Sequence, residues 1–306
     1  MILKRRELIK AGLGAGALIT AGIGPSALAG PADIIRRAIP SSGEKVPIIG
    51  LGTNRYGVGS ADAERAPLEA SLARFHERGG TIIDTAPMYR TSEAVLGDLI
   101  DELGIRKDLF VATKVDRERR DESDTQIHAS FDKLKIDTCD LMQVHNLHGW
   151  RESLPLIREW QQEGRIRYIG ITTSRESQYE EMEQIMREHD LDFIQINYSL
   201  AQREAAERLL PLARDRNMGV IVNRAFGAGR IFQRLANESL PAWAADFDVT
   251  SWAQFLLKYV LSHPAVTLTI PGMTKTRHVD DNFGAALGRM PDAEERRRQE
   301  AFFDAL

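Results

Sequence analysis

The sequence predicts an α/β protein built as a (β/α)₈ (TIM) barrel, and three observations support this prediction. Eight short apolar runs alternate with amphipathic helical stretches, at a spacing of roughly 25–30 residues. Strict alternation favours parallel strands joined by helical crossovers. Eight such units in about 250 residues match the usual size of this barrel. A doubly wound sheet is the alternative, and it is disfavoured because no G-x-G-x-x-G sequence follows the first strand.

Residues 1–29 differ from the rest of the chain and are predicted to be an export signal. The basic start MILKRRELIK precedes the apolar run AGLGAGALITAGIG, and residues 27–29 offer a small-x-small cleavage site. The run is shorter than the roughly 20 residues that span a bilayer, and its glycines disfavour an ordinary amphipathic helix. Arg5 and Arg6 resemble a twin-arginine signal. We therefore expect cleavage, no stable membrane insertion, and transport of the folded barrel, residues 30–306, to the periplasm by the twin-arginine export machinery.

The predicted elements of the barrel follow in chain order. RRAIPSSGEKVPIIGLGT is expected to form a short β-hairpin with its turn at residues 41–43, leading into the first barrel strand at residues 48–52. The seven later strands are predicted at TIID, LFVATK, CDLMQVH, IRYIGIT, FIQIN, GVIVN and VTLTIP. One irregular gap, residues 226–249, follows the seventh strand. Long loops in compact domains are often functional, so this segment is expected to serve the site.

Composition and charge exclude some function classes. The formal net charge of −4 implies no general affinity for nucleic acid. The single cysteine, Cys139, cannot form an internal disulfide and is predicted to be a small buried core residue.

Polar residues fall at three successive strand ends, where the chemistry of such a barrel takes place. Asp84 ends the second strand and Tyr89 lies on the following loop; Lys114 and His145 end the third and fourth strands. Neighbouring strands are about 4.8 Å apart, so these side chains are expected to form one cluster. Each residue alone has an ordinary explanation, such as a turn cap or a lysine reaching solvent. Four such residues at three successive strand ends together favour a functional site.

This set of residues suits the reduction of a carbonyl group, which needs a hydride on carbon and a proton on oxygen. Tyr89 could supply the proton, although the pKa of a free tyrosine is about 10. The Lys114 ammonium would lower that pKa, and Asp84 would be the counter-charge that a buried lysine needs. His145 could donate a hydrogen bond to the substrate oxygen and orient it.

Several segments resemble the aldo-keto reductases, in that family's order and spacing, from about Ile39 to Ala286. VPIIGLGTNRYG resembles the family's first-strand signature, IDTAPMYRTSEAVLG its Asp-and-Tyr segment, and VATK and LMQVHN its lysine and histidine segments. GRIRYIGITT, FIQINYSL and IPGMTKTRHVDDNFGAA resemble its later cofactor segments. The resemblance implies hydride transfer between a nicotinamide cofactor and a small aldehyde, ketone or alcohol. It also implies a catalytic tetrad with a tyrosine acid/base: Asp84, Tyr89, Lys114 and His145.

The resemblance further implies a cofactor extended across the top of the barrel. Thr173 stands where the family usually has Asn, and Asn223 stands where many members stack an aromatic ring on the nicotinamide. The glycines of the long loop would permit close approach to the pyrophosphate. The full set implied to contact the cofactor is Gly52, Thr53, Asn54, Asp84, Thr172, Thr173, Gln195, Asn223, Arg224, Gly227, Gly229, Thr274, Lys275, His278, Asp281 and Asn282.

The residues implied to contact the adenosine indicate which cofactor, NADPH or NADH, the site would prefer. A 2′-phosphate favours Lys or Arg at a helix N-terminus, and Lys275 and Arg277 open the last predicted helix. Many eukaryotic members place their lysine where this chain has Gly272 and their arginine where it has His278. NADPH is favoured, and NADH remains possible.

The substrate pocket is expected on the top-face loops, partly apolar and open. Its candidate residues are Tyr56, Met88, His148, Trp150 and Phe226.

Two alternative functions can be compared with the same sequence features. An exported redox-sensing subunit that holds cofactor with little turnover would also fit the export signal and Asn223. A metal-dependent hydrolase would need clustered His and carboxylate ligands. His145 and His148 are the only close pair near a strand end, so we expect no metal.

Overall fold

The computed structural model describes residues 34–306, so the predicted export signal lies outside the described residues and stays a prediction. Within the described range, no helix is both long enough and apolar enough to cross a membrane.

A two-stranded antiparallel hairpin precedes an eight-stranded parallel sheet. β1 (Arg36–Ala38) pairs with β2 (Lys45–Pro47), which confirms the predicted hairpin. The parallel strands lie side by side in chain order, which confirms the α/β class. They are β3 (Leu51–Gly52), β4 (Ile82–Asp84), β5 (Phe110–Val115), β6 (Cys139–Val144), β7 (Ile166–Thr172), β8 (Phe193–Asn197), β9 (Gly219–Asn223) and β10 (Leu268–Thr269).

Hydrogen bonds join the first and last strands of the sheet. The Thr269 amide donates to Ile48 O at 3.0 Å, and the Gly50 amide donates to Thr269 O at 2.8 Å. A further bridge pairs Gly52 with Gly272. A Cβ at Gly52 would lie 2.5 Å from Ile270 O, so only glycine lets the two strands approach this closely. The edges of the curled sheet therefore meet, as a barrel requires.

The interior of the sheet is filled by apolar side chains and closed at its amino-terminal end by the hairpin. Ile39 and Val46 of the hairpin belong to the same buried cluster as Phe110, Phe193 and other inward-facing strand residues. Since that end is covered, the carboxyl ends of the strands remain the open face, where polar side chains can meet a ligand.

Ten helices within residues 34–306 surround the sheet. They are α1 (Asp62–Glu77), α2 (Ser92–Leu103), α3 (Arg120–Leu134), α4 (Trp150–Gln162), α5 (Tyr179–Glu188), α6 (Leu209–Asp215), α7 (Arg230–Arg234), α8 (Trp252–Leu261), α9 (Thr276–Gly284) and α10 (Ala293–Asp304). Their buried faces form a second, larger apolar cluster with the outer face of the sheet.

The helices differ from the sequence prediction in three places. α6 begins at Leu209 rather than at residue 203, because Pro211 is tolerated only in the first turn of a helix. α7 lies inside the long gap after β9, which was predicted as a loop. α10 was not predicted; Asp292 and Glu295 form a capping box at its start.

Candidate active site

A buried ion pair lies where β4 and β5 end. Lys114 Nζ donates to both carboxylate oxygens of Asp84, at 2.8 and 2.7 Å, and to Thr85 O at 2.7 Å. Both side chains are buried, with exposures of 1% for Lys114 and 2% for Asp84. Burial acts to lower the pKa of Lys114, but the charges of Asp84 and Tyr89 outweigh it and raise this pKa above its ordinary value. Lys114 is therefore a fixed cation whose three N–H donors are all used.

Tyr89 lies beside this cation on the loop after β4. Lys114 Nζ is 5.4 Å from the centroid of the Tyr89 ring. The ammonium acts to lower the pKa of Tyr89, but burial and the Asp84 carboxylate outweigh it, and the pKa lies above its ordinary value. The net direction is therefore opposite to the one expected from Lys114 alone, chiefly because burial disfavours the charged phenolate, with a smaller contribution from Asp84. The phenol is kept protonated, as a proton donor must be.

His145 completes the cluster at the end of β6. Its ring meets the Tyr89 ring edge to face, with centroids 6.0 Å apart. The backbone turns sharply here, since Asn146 and Leu147 both have left-handed φ values of 54° and 58°. His145 Nδ1 is buried and has no hydrogen-bond partner among residues 34–306. Burial and the Lys114 cation lower the pKa of His145 to about 3. The imidazole is neutral, so it can donate one N–H to a bound carbonyl oxygen.

His145 is expected to stay neutral throughout the physiological pH range. Its folded pKa of about 3 lies below the ordinary 6.5. Between these values the unfolded chain binds more protons than the folded one, so His145 makes stability rise with pH across this window. An NMR titration of the histidine rings measures the pKa, with His145→Gln assigning the resonance. A midpoint near neutral pH would contradict the burial argument.

The residues expected at the nicotinamide lie together at the ends of β7, β8 and β9. Thr172 pairs in register with Gln195. Thr173 donates its hydroxyl to Gln178 at 2.6 Å, which fixes this buried side chain. Gln195 Oε1 and Asn223 Oδ1 are buried acceptors with no partner in the described part of the chain. Such acceptors fit the amide N–H groups of a carboxamide, so the residues present suit a nicotinamide ring.

The segment expected over the pyrophosphate turns through left-handed backbone. Arg224, Gly227 and Gly229 have φ values of 51°, 55° and 87°. Arg224 Nη1 donates to Ser174 O at 3.1 Å, which ties this segment to the loop after β7. Thr53 and Asn54, which directly follow β3, are also expected at the cofactor. The Thr53 side chain is buried and its hydroxyl donates to Asp84 O at 2.8 Å, whereas Asn54 is exposed.

The residues expected at the adenosine lie around the start of α9. Lys275 is the exposed N-cap of this helix, and Thr274 and His278 are partly exposed beside it. Asp281 accepts hydrogen bonds from Ser251 at 2.6 Å and from Gln254 at 3.0 Å, so its carboxylate also holds α8. Asn282 is buried.

The expected pocket residues do not form one group. The Tyr56 ring is fully buried and its hydroxyl donates to Met273 O at 3.0 Å, so Tyr56 presents no surface at the open face. Trp150 donates to Glu181 of α5 at 2.9 Å and packs between helices. His148 is bonded to Asp116 O at 2.8 Å, and this contact holds the loop after β5.

Two of the pocket candidates remain beside the open face. Met88 is 60% exposed and directly precedes Tyr89. Phe226 is partly buried and packs against Phe232, with ring centroids 5.1 Å apart.

Two buried polar residues near the tetrad were not singled out from the sequence. Gln143 donates to Asp84 Oδ1 at 3.4 Å; strand alternation places it on the same face as His145, and this signal could have identified it. Glu93 of α2 accepts from the Thr113 hydroxyl at 2.6 Å, and burial raises the pKa of its carboxyl. Helical periodicity does not predict a buried Glu93, because the burial of this side chain depends on its contact with the outer face of β5.

Comparisons with known proteins find relatives of this chain among the reductases. The methylglyoxal reductase YeaE of Escherichia coli is 27% identical over 267 residues, covering 85% of this chain and 92% of that protein. An NADH-specific methylglyoxal reductase of E. coli is 27% identical over 247 residues, covering 69% and 73%. The crystal structure of an aldo-keto reductase from Klebsiella pneumoniae in complex with NADPH superposes with a TM-score of 0.75, at 27% identity, covering 88% of this chain and 96% of that one. The model of the Aldo/keto reductase family matches residues 48–301, and the chain therefore belongs to this family.

Proposed function

We propose that the protein is an NAD(P)H-dependent oxidoreductase that reduces an aldehyde or ketone to an alcohol, or runs the reverse reaction. The observation that carries the proposal is the arrangement at the open face. The ring centroid of a protonated tyrosine, Tyr89, lies 5.4 Å from the buried Lys114 ammonium, and the ring meets the neutral His145 imidazole edge to face. Family membership and the NADPH-bound relative support the same reaction class.

Each side chain is proposed to have a separate task. Gln195, Asn223 and their neighbours would hold the nicotinamide, which when bound would supply the hydride for the carbonyl carbon. His145 donates its N–H to the carbonyl oxygen and orients it. Tyr89 Oη transfers its proton to the same oxygen as the C–H bond forms, and solvent returns a proton to the phenolate afterwards. Lys114 stabilises that transient phenolate, and Asp84 holds Lys114 in place.

The cofactor is proposed to be NADPH, with NADH as the second possibility. Lys275 and Arg277 lie at the N-terminal end of α9, where cations and backbone amides attract a 2′-phosphate. The Klebsiella relative binds NADPH, whereas one E. coli relative is NADH-specific. Because two relatives are methylglyoxal reductases, small 2-oxoaldehydes are proposed as the first substrates to test.

Fluorescence titration of the purified protein with NADPH and NADH, followed by a panel of carbonyl compounds that includes methylglyoxal, tests the proposal. We expect tighter binding of NADPH and steady turnover of at least one aldehyde. Lys275→Met should weaken NADPH binding more than NADH binding. Tight cofactor binding without turnover of any carbonyl would favour the cofactor-holding alternative, and no binding of either nucleotide would contradict both functions.

A further inference from the structure

The loop after β3 packs unusually closely against the loop that carries Tyr89. A Cβ added to Gly57 would lie 2.3 Å from Tyr89 O and 3.0 Å from Arg90 Cβ. Real Cβ atoms do not approach a backbone oxygen this closely, so a side chain at residue 57 must push the two loops apart. Gly57 is not among the residues with positive φ. Glycine is therefore required here for the approach of the two backbones and not for the conformation of residue 57.

Hydrogen bonds hold the two loops together around this contact. The Arg90 guanidinium donates to Gly57 O, and the Thr91 hydroxyl donates to Val58 O at 2.6 Å. Ser92 Oγ donates to Thr53 O at 3.0 Å. These bonds come from the three residues that follow Tyr89, so its backbone is fixed by contacts with residues 53–58.

The same segment is anchored on its other side. The buried Tyr56 hydroxyl donates to Met273 O at 3.0 Å, and Ser71 Oγ donates to the same carbonyl at 2.9 Å. Met273 directly precedes the residues expected at the cofactor's adenosine. Residues 53–58 therefore connect that region with the loop of Tyr89.

We propose that Gly57 is a positioning residue for Tyr89: its missing side chain sets where the Tyr89 backbone lies, and so where the phenol lies relative to Lys114 and His145. Tyr56 anchors residues 53–58, the segment that contains Gly57, through its hydrogen bond to Met273 O. This inference rests on the proposed function, because it takes Tyr89 as the proton donor. Reacting groups that are displaced by about 1 Å lose roughly 10²-fold in rate, so a shift of this loop should be costly.

The test compares Gly57→Ala with Gly59→Ala in the cofactor-loaded protein. Gly59 is in the same loop, but a Cβ there would meet only the tip of the flexible Glu64 side chain. Gly57→Ala is expected to lower kcat roughly 100-fold, with little change in the Kd of NADPH. The melting temperature should fall by only a few degrees, because the added methyl strains one packed contact. Gly59→Ala should keep the wild-type kcat. Equal losses of kcat in both variants, an unchanged kcat in Gly57→Ala, or a loss of NADPH affinity as large as the loss of kcat would each overturn the proposal.

A second variant, Thr91→Val, tests the contact between the two loops without the added methyl of Gly57→Ala. Thr91→Val removes the bond to Val58 without adding an atom to the contact, and should lower kcat by between about threefold and tenfold even where Gly57→Ala does not fold. A wild-type kcat in Thr91→Val would then overturn the proposal.

An NMR measurement separates this inference from the proposed function. The protein has six tyrosines, and the ring-carbon resonance of Tyr89 can be assigned by its loss in Tyr89→Phe. If the wild type turns over no carbonyl, a shift of this resonance in Gly57→Ala but not in Gly59→Ala still supports the positioning role. The same resonance position in both variants would contradict it.

Discussion

Tyr89→Phe is expected to lower kcat/KM for carbonyl reduction by about 10²–10⁴-fold, the range that a positioned general acid contributes. The phenyl ring of the variant should keep the edge-to-face packing of Tyr89 against His145, whose ring centroids are 6.0 Å apart, but it has no hydroxyl proton to give. The Kd of NADPH should change little, because the lost hydroxyl serves the substrate oxygen. Steady-state kinetics and a cofactor titration on the same preparation measure both quantities.

The control for Tyr89→Phe is Tyr179→Phe, a second partly buried tyrosine. Its hydroxyl donates to Asn197 Oδ1 at 2.9 Å on the rim of β8 and not to the tetrad. We expect Tyr179→Phe to keep kcat/KM within a few-fold. Near-normal reduction by Tyr89→Phe would show that another group delivers the proton, and the assignment of Tyr89 would be wrong.

Breaking the Asp84–Lys114 pair is expected to have the largest effect on stability. Lys114→Met leaves a carboxylate buried without its cation, and removal of one partner from a buried pair costs about 3–5 kcal/mol. The double variant Asp84→Asn/Lys114→Met removes both charges, so it should be more stable than Lys114→Met alone. Urea unfolding of the three proteins gives the free energies of unfolding.

Lys275→Met is the matched control for this stability measurement, because Lys275 is an exposed lysine without a carboxylate partner in residues 34–306. Surface substitutions of this kind usually change stability by within about 0.5 kcal/mol. All four proteins should be compared at one pH and salt concentration. A Lys114→Met variant as stable as Lys275→Met would show that the buried pair contributes nothing to folding.

Much of the fold could be predicted because its signals are local. Apolar runs that alternate with amphipathic stretches predict parallel strands and crossovers, and all eight barrel strands overlap the segments that this pattern predicts. The predicted helices differ from the observed ones where a single residue, or a contact between residues distant in sequence, overrides the hydrophobic periodicity. Pro211 delays α6, and α10 is held against the barrel by contacts such as the one between Gln299 and Phe255 O at 3.1 Å. Neither effect shows in a hydrophobic pattern.

The positions of polar residues at the strand ends can be predicted from the amino-acid pattern, since parallel strands present their carboxyl ends at one face. On that basis Asp84, Tyr89, Lys114 and His145 could be named together before any coordinates. The surroundings of each side chain, in contrast, depend on the folded structure. Contacts between residues distant in sequence bury Tyr56 against Met273, raise the pKa of Tyr89 despite Lys114, and bring Gly57 against the Tyr89 backbone. Periodicity reports which face of an element is buried; distances, charges and close approaches depend on the packing of whole elements against each other.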